Sequence, residues 1–180
     1  MRTLLLAVVL LLGMTTTVTP SERTVGEANV VVAYLYNFGK FIEWPASAFA
    51  STDAPMRFCF YGENSLGQVT ETLTSKRVSG HPIEVVHIKR GGSLTYCHLL
   101  YIDSSEHLYI RPVLNLTRDM PLLTVSEIEG FASAGGVIGL VNIGNKLKFE
   151  INSAAAVQAQ LRVSSQLLKL AVNVFESLPQ

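Results

Sequence analysis

The chain has 180 residues, 48% of them hydrophobic and 16% charged, which suits one domain and excludes both two full globular units and an intrinsically disordered polymer. Lys plus Arg and Asp plus Glu each total 14, giving a net charge of zero. No general electrostatic pull towards nucleic acid or an anionic membrane follows from that balance, and a nucleic-acid partner is not expected.

Met1-Arg2-Thr3 makes a short positive start, Leu4 to Leu12 is an unbroken run of Leu, Ala and Val, and Gly13 to Ser21 is largely small and polar. This is the pattern of a secretory signal peptide. As a helix the apolar run reaches only about 14 Å, well short of the roughly 30 Å of hydrocarbon a membrane span must cross. The expected organisation is a signal peptide over residues 1–19, cut between Thr17 and Ser21, and a single α/β domain over residues 20–180, soluble in the periplasm. No Cys follows the leader, so lipid attachment at a new N-terminus is not expected. Cys59 and Cys97 both lie in the mature region. An even count in an oxidising compartment allows one disulfide, and two buried thiols acting as small hydrophobes are the plain alternative. Two cysteines alone do not make a structural zinc site, and no metal or cofactor is expected.

In chain order, Thr24-Val25-Gly26-Glu27 is a capping box that opens a helix. Ala28, Val31, Val32, Leu35, Phe38, Gly39 and Ile42 follow at three- and four-residue spacing, and Trp44-Pro45 ends the stretch. Met56 to Tyr61 reads as a strand, Gly62 to Gly67 as a turn, and a short helix carries Val69 and Leu73. Strands are expected at Ile83 to Ile88, Leu99 to Ile102 and Leu122 to Val125, with a helical stretch after Asp103 whose start Pro112 blurs. Val137 to Asn142 and Lys146 to Ile151 make a hairpin around Gly144-Asn145, and the second arm alternates dry and wet as an edge strand does. A closing helical region capped by Asn152 or Ser153 carries Ala154, Val157, Leu161, Leu168, Ala171 and Phe175, with a possible break at Val163-Ser164-Ser165. Short apolar strands alternating with helices predict a mostly parallel sheet with helices on both faces and a C-terminal antiparallel hairpin edge.

Catalytic signatures are missing. Gly62-Glu63-Asn64-Ser65-Leu66-Gly67 lacks the first Gly of a nucleophile elbow, and Gln68 stands where a phosphate loop needs Lys. His81, His87, His98 and His107 show no ligand spacing, and Glu127 and Glu129 are not spaced to share a helix face. The expected protein is not an enzyme.

Tyr34-Leu35-Tyr36-Asn37-Phe38-Gly39-Lys40-Phe41-Ile42-Glu43-Trp44-Pro45 resembles the opening signature of the YfiR family. Three later blocks agree in order: Leu123-Thr124-Val125-Ser126 with Gly130-Phe131 and Gly135-Gly136, then Phe149-Glu150-Ile151-Asn152, then Ser164 to Ala171 with Leu167 and Leu168. The resemblance implies a non-catalytic periplasmic regulator that represses a YfiN-type inner-membrane diguanylate cyclase, lowering cyclic di-GMP and biofilm formation. It further implies a homodimer and a YfiB-type outer-membrane partner. Cys59 and Cys97 look like one family cysteine pair, and the expectation is that they bridge. A second pair is absent after Phe131, so redox control resting on it does not carry over. Phe38, Pro45, Gly130, Phe131, Gly135, Gly136, Phe149, Asn152, Leu167 and Leu168 read as structural members of the motif, whereas Lys40 and Trp44 are the candidates for a partner surface. The alternative function is a small-molecule sensor whose ligand sits beyond the carboxyl ends of the strands, lined by turns such as Gly62 to Gly67.

Overall fold

A computed structural model describes residues 24–177; the signal-peptide expectation for residues 1–19 and the cleavage interval lie outside them. The capping box forms as the sequence dictates. The Glu27 N–H donates to Thr24 Oγ1 at 3.3 Å, and the Thr24 N–H donates back to Glu27 Oε2 at 2.9 Å. Helix α1 (Val25–Phe41) follows and buries the stripe Ala28, Val31, Val32, Leu35, Phe38 and Gly39. It stops earlier than Trp44: Ile42 turns extended and, with Glu43, forms β1 (Ile42–Glu43).

The other strands are β2 (Met56–Tyr61), β3 (Arg77–Val78), β4 (His81–Ile88), β5 (Leu99–Ile102), β6 (Leu123–Ser126), β7 (Ile138–Ile143), β8 (Lys146–Asn152), β9 (Arg162–Val163) and β10 (Asn173–Phe175). Eight of them make one sheet in the order β10-β8-β7-β6-β5-β2-β4-β3, and β1 pairs separately with β9. Strands β4, β2, β5, β6 and β7 run parallel, and β7 and β8 form the antiparallel hairpin. Gly144 and Asn145 take φ of 54° and 59°, the left-handed pair a tight two-residue hairpin needs. Beyond the hairpin, β10 adds outside β8 in parallel, so β8 is not the outermost strand.

The remaining helices are α2 (Ile110–Thr117), α3 (Ser153–Gln158) and α4 (Ser165–Leu170). The segment around Val69 and Leu73 is a 3₁₀ helix, Gly67–Leu73, and a second, Ser104–Tyr109, leads into α2 under an Asp103 cap. The closing region breaks at the expected place, but Ala171 and Phe175 leave helical geometry. Val172 N–H bonds to the Phe149 carbonyl at 2.9 Å and the chain continues as β10.

Strand alternation sorts the core into two layers. Phe58, Phe60, Leu99, Tyr101, Leu123 and Val125 face α1 with Phe149 and Ile151 from the hairpin. Cys59, Tyr61, Leu100 and Ile102 face α2 through Val113 and Leu114, joined by Phe131. At about 1.5–3 kcal/mol for each large side chain taken from water, these layers are the main favourable contribution to folding.

Candidate functional site

Two ends of the sheet concentrate polar chemistry. At the amino ends of β2 and β5, the loop after α1 is tied down by aromatic and imidazole groups. The Trp44 indole Nε1 donates to the His98 carbonyl at 3.1 Å. The Phe49 ring stacks between His81, at 4.0 Å between centroids, and His98, at 4.5 Å. Arg57 N–H donates to His98 Nδ1 at 3.0 Å, which places the imidazole proton on Nε2, where it is donated to the Ala48 carbonyl at 3.0 Å. Both ring nitrogens are thus committed in the neutral form, and burial pushes the His98 pKa below its ordinary value, helped by the charge of Arg57.

Cys97, next to His98, bridges to Cys59 with a Cα separation of 5.8 Å. Shallow hollows lie on either side of the bridge. One, of about 430 Å³, is lined by Pro55, Arg57, Tyr96, Cys97, His98 and Pro121. The other, of about 340 Å³, is floored by Cys59, Val86 and Ile88 and walled by Arg57, Glu84 and Tyr96. Tyr96 is 71% exposed between them. Arg57 Nε bonds Glu84 Oε2 at 2.8 Å while its guanidinium lies 5.8 Å from the Tyr96 ring centre. The sequence reading missed Tyr96; its one signal was an aromatic residue in a polar loop immediately before a cysteine.

The carboxyl ends are arranged differently. From β2 the chain goes to β4 on one side and then to β5 on the other, which makes the crevice between β2 and β5 the place where open α/β sheets bind ligands. Here it is filled by the protein itself. Asp103 Oδ2 accepts from the Ser65 N–H at 2.8 Å and Oδ1 from the Ser105 N–H at 2.9 Å. Burial alone would raise the Asp103 pKa, but the hydrogen bonds from Ser65 and Ser105 outweigh it and hold the carboxyl below its ordinary value. Gly62, at φ +111°, sits so close that a Cβ would lie 2.9 Å from the Asp103 Cβ. Beside it the buried Glu106 carboxylate takes a two-pronged grip from Arg90, at 2.8 and 3.1 Å, whose guanidinium caps the Tyr109 ring at 4.0 Å. The Gly62 to Gly67 turn is therefore closed by Asp103 rather than held open for a ligand. Among the described residues no group of three or more His, Cys, Asp or Glu is placed to hold a metal ion, and no helix is long and apolar enough to cross a membrane.

The YfiR/HmsC-like family matches the chain over residues 28–172. The chain belongs to this family. A comparison with curated proteins gives no match.

The residues expected to form the YfiR/HmsC-like motif lie mostly in the core and its turns. Phe38 meets Phe149 edge-on at 5.1 Å, and Tyr34 joins them while donating its hydroxyl to the Leu147 carbonyl at 2.8 Å. Phe131 is buried beneath Gly136, where a Cβ would lie within 2.1 Å of the ring. Asn152 caps α3 through the Ala155 N–H at 2.8 Å and ties the Gly130–Gly135 turn by donating to the Ala132 carbonyl at 2.8 Å. Pro45 precedes a single 3₁₀ turn, Leu167 is buried, and Leu168 packs half-buried beside it. Lys40 is exposed on the last turn of α1, its ammonium 5.4 Å from the Tyr36 ring centre, with Lys76 5.2 Å from the same ring. Trp44 is half-buried against the core. Lys40 and Trp44 thus engage different neighbours: one a tyrosine ring, the other a strand-end carbonyl.

Proposed function

We propose that the mature chain is a non-catalytic periplasmic regulator that binds the sensor region of a YfiN-type inner-membrane diguanylate cyclase and holds it inactive, lowering cyclic di-GMP and biofilm formation. The observation that carries this reading is membership of the YfiR/HmsC-like family over residues 28–172. The exposed Tyr96 beside the disulfide supports binding through a surface, and the crevice between β2 and β5 is closed by Asp103. A homodimer and a YfiB-type outer-membrane protein complete the proposed set of partners. Trp44 acts in this scheme by fixing the loop that carries Phe49, and Lys40 by presenting an exposed cation to the partner from the last turn of the first helix.

Repression of this kind is a population shift: moving a two-state cyclase from mostly on to mostly off takes about 5.5 kcal/mol of differential affinity. The test is deletion of the protein in strains with and without the membrane cyclase. Cyclic di-GMP should rise on deletion only where the cyclase is intact. An unchanged level in a strain with a working cyclase would overturn the reading.

A further inference from the structure

The outer side of β4 is an open strand edge. Strand β3 pairs only with His81 and Pro82, and the Ile83 N–H still reaches the Lys76 carbonyl at 3.1 Å. Past that point no described strand or backbone group pairs with β4 on its outer side, although the strand runs on to Ile88. The outward Ile83 N–H and the Ile88 carbonyl, which accepts from Gly62 N–H on the β2 side at 3.1 Å, fix the alternation. Glu84, Val86 and Ile88 direct their peptide groups to β2, and Val85 and His87 direct theirs outward.

Three further features converge on this edge. The hollow floored by Cys59, Val86 and Ile88 lies on the sheet face beside it. The carboxylates near mid-strand already have neighbours: Glu84 accepts from Arg57 Nε at 2.8 Å, and Glu71, on the 3₁₀ helix Gly67–Leu73, lies 3.2 Å from His87 Nε2. Exposed lysines stand at the two ends, Lys76 and Lys89, and among the described residues neither has an acidic partner. A row of outward N–H and C=O groups is satisfied most completely by another peptide backbone, and an adjoining apolar hollow selects its alternate side chains.

We infer that the β4 edge receives an extended segment of the partner protein as an added strand, its apolar side chain seated against Val86, Ile88 and Tyr96 and its acidic flanks beside Lys76 and Lys89. This takes the partner from the regulatory reading above, and the test separates the two. Proline tolerates an edge position whose N–H faces outward, so Val85→Pro and His87→Pro each delete a docking donor without touching the β2 ladder; His87→Pro is made together with Glu71→Gln, so that loss of the imidazole leaves no bare carboxylate at the edge. Lys76→Glu/Lys89→Glu reverses the flanking charge and leaves the strand intact. Capture of the detergent-solubilised membrane cyclase by the mature protein should fall at least tenfold in all three variants, with thermal unfolding kept within a few degrees of wild type. Amide exchange should show the Val85 and His87 N–H groups exchanging at least tenfold faster than Val86 in the isolated protein and becoming protected in the complex.

Equal capture by wild type and variants would overturn the edge as the docking site and leave the cyclase reading standing. Slow exchange at Val85 and His87 in the isolated protein would also overturn it, because the edge would already be covered. Should wild type fail to capture the cyclase, the regulatory reading falls. The edge is then decided by a fluorescent peptide, Asp-Glu-Val-Thr-Val-Thr-Val-Glu-Asp: binding that the proline variants abolish upholds strand addition, and absence of binding refutes it.

Discussion

Removing the Cys59–Cys97 bridge should cost the domain a definite share of its stability. The bridge spans a sequence separation of 38, and the chain-entropy relation gives about 12.9 cal/mol/K for a loop of that size, or about 3.9 kcal/mol at 25 °C. Cys59 is 1% exposed among Tyr61, Leu100 and Ile102, so Cys59→Ala/Cys97→Ala keeps an apolar group there and avoids a stray thiol. For a domain of this length about 2–4 °C of melting temperature accompanies each kcal/mol, so the variant should melt about 8–16 °C below the oxidised wild type. Calorimetry and urea titration, each with and without reductant, measure this directly. Reduced wild type should coincide with the variant. A variant within about 3 °C of oxidised wild type would show that the bridge adds little constraint to the unfolded chain and refute the reasoning.

His98 takes up a proton more readily in the unfolded chain than in the native one, so stability should be level above about pH 7 and fall as pH drops from about 6.5 through the depressed native value; His98→Gln, followed by urea midpoints against pH, should flatten that slope. Asp103 has the acid counterpart, with stability lost below about pH 4 as the carboxyl protonates through its lowered native value. At pH 7 Asp103→Asn should cost about 1–3 kcal/mol by chemical denaturation, since the Ser65 and Ser105 N–H groups lose their charged acceptor. Trp44→Phe should cost about 0.5–1.5 kcal/mol by the same assay, the worth of the bond to the His98 carbonyl. Gly136→Ala should destabilise by about 1–3 kcal/mol, because the new methyl group meets the buried Phe131 ring.

Elements whose cause is local were legible in the sequence. Thr24 and Glu27 cap α1 through bonds three residues apart, and Gly144-Asn145 adopts left-handed geometry wherever two strands flank it. The closing region was misread for the opposite reason. Ala171 and Phe175 continue the helical spacing of Leu161 and Leu168, but the Val172 N–H finds the Phe149 carbonyl and the Ser153 hydroxyl finds that of Phe175. Those distant partners override a local period. Cys59 and Cys97 were recognisable as a pair from compartment and family. The stack of His81, Phe49 and His98 was not, since it joins three segments that carry no common motif. Asp103 was visible as the residue ahead of a helical stretch; its second role, closing the Gly62 turn through Ser65, exists only once β2 and β5 lie side by side.

The pairing of β1 with β9 sets a condition on how the chain can be made. Ile42 lies opposite Val163, and the first helix buries Leu35 and Phe38 in a layer shared with Leu161 and Leu167. A polypeptide emerging N-terminus first, from a ribosome or through a translocation pore, therefore carries its first helix without that seat until more than a hundred further residues have followed. Closing so long a loop is costly until those residues arrive. The early segment should stay open and threadable during transit, and locking should come late, when β9, α4 and β10 reach the helix and hairpin that have been waiting for them.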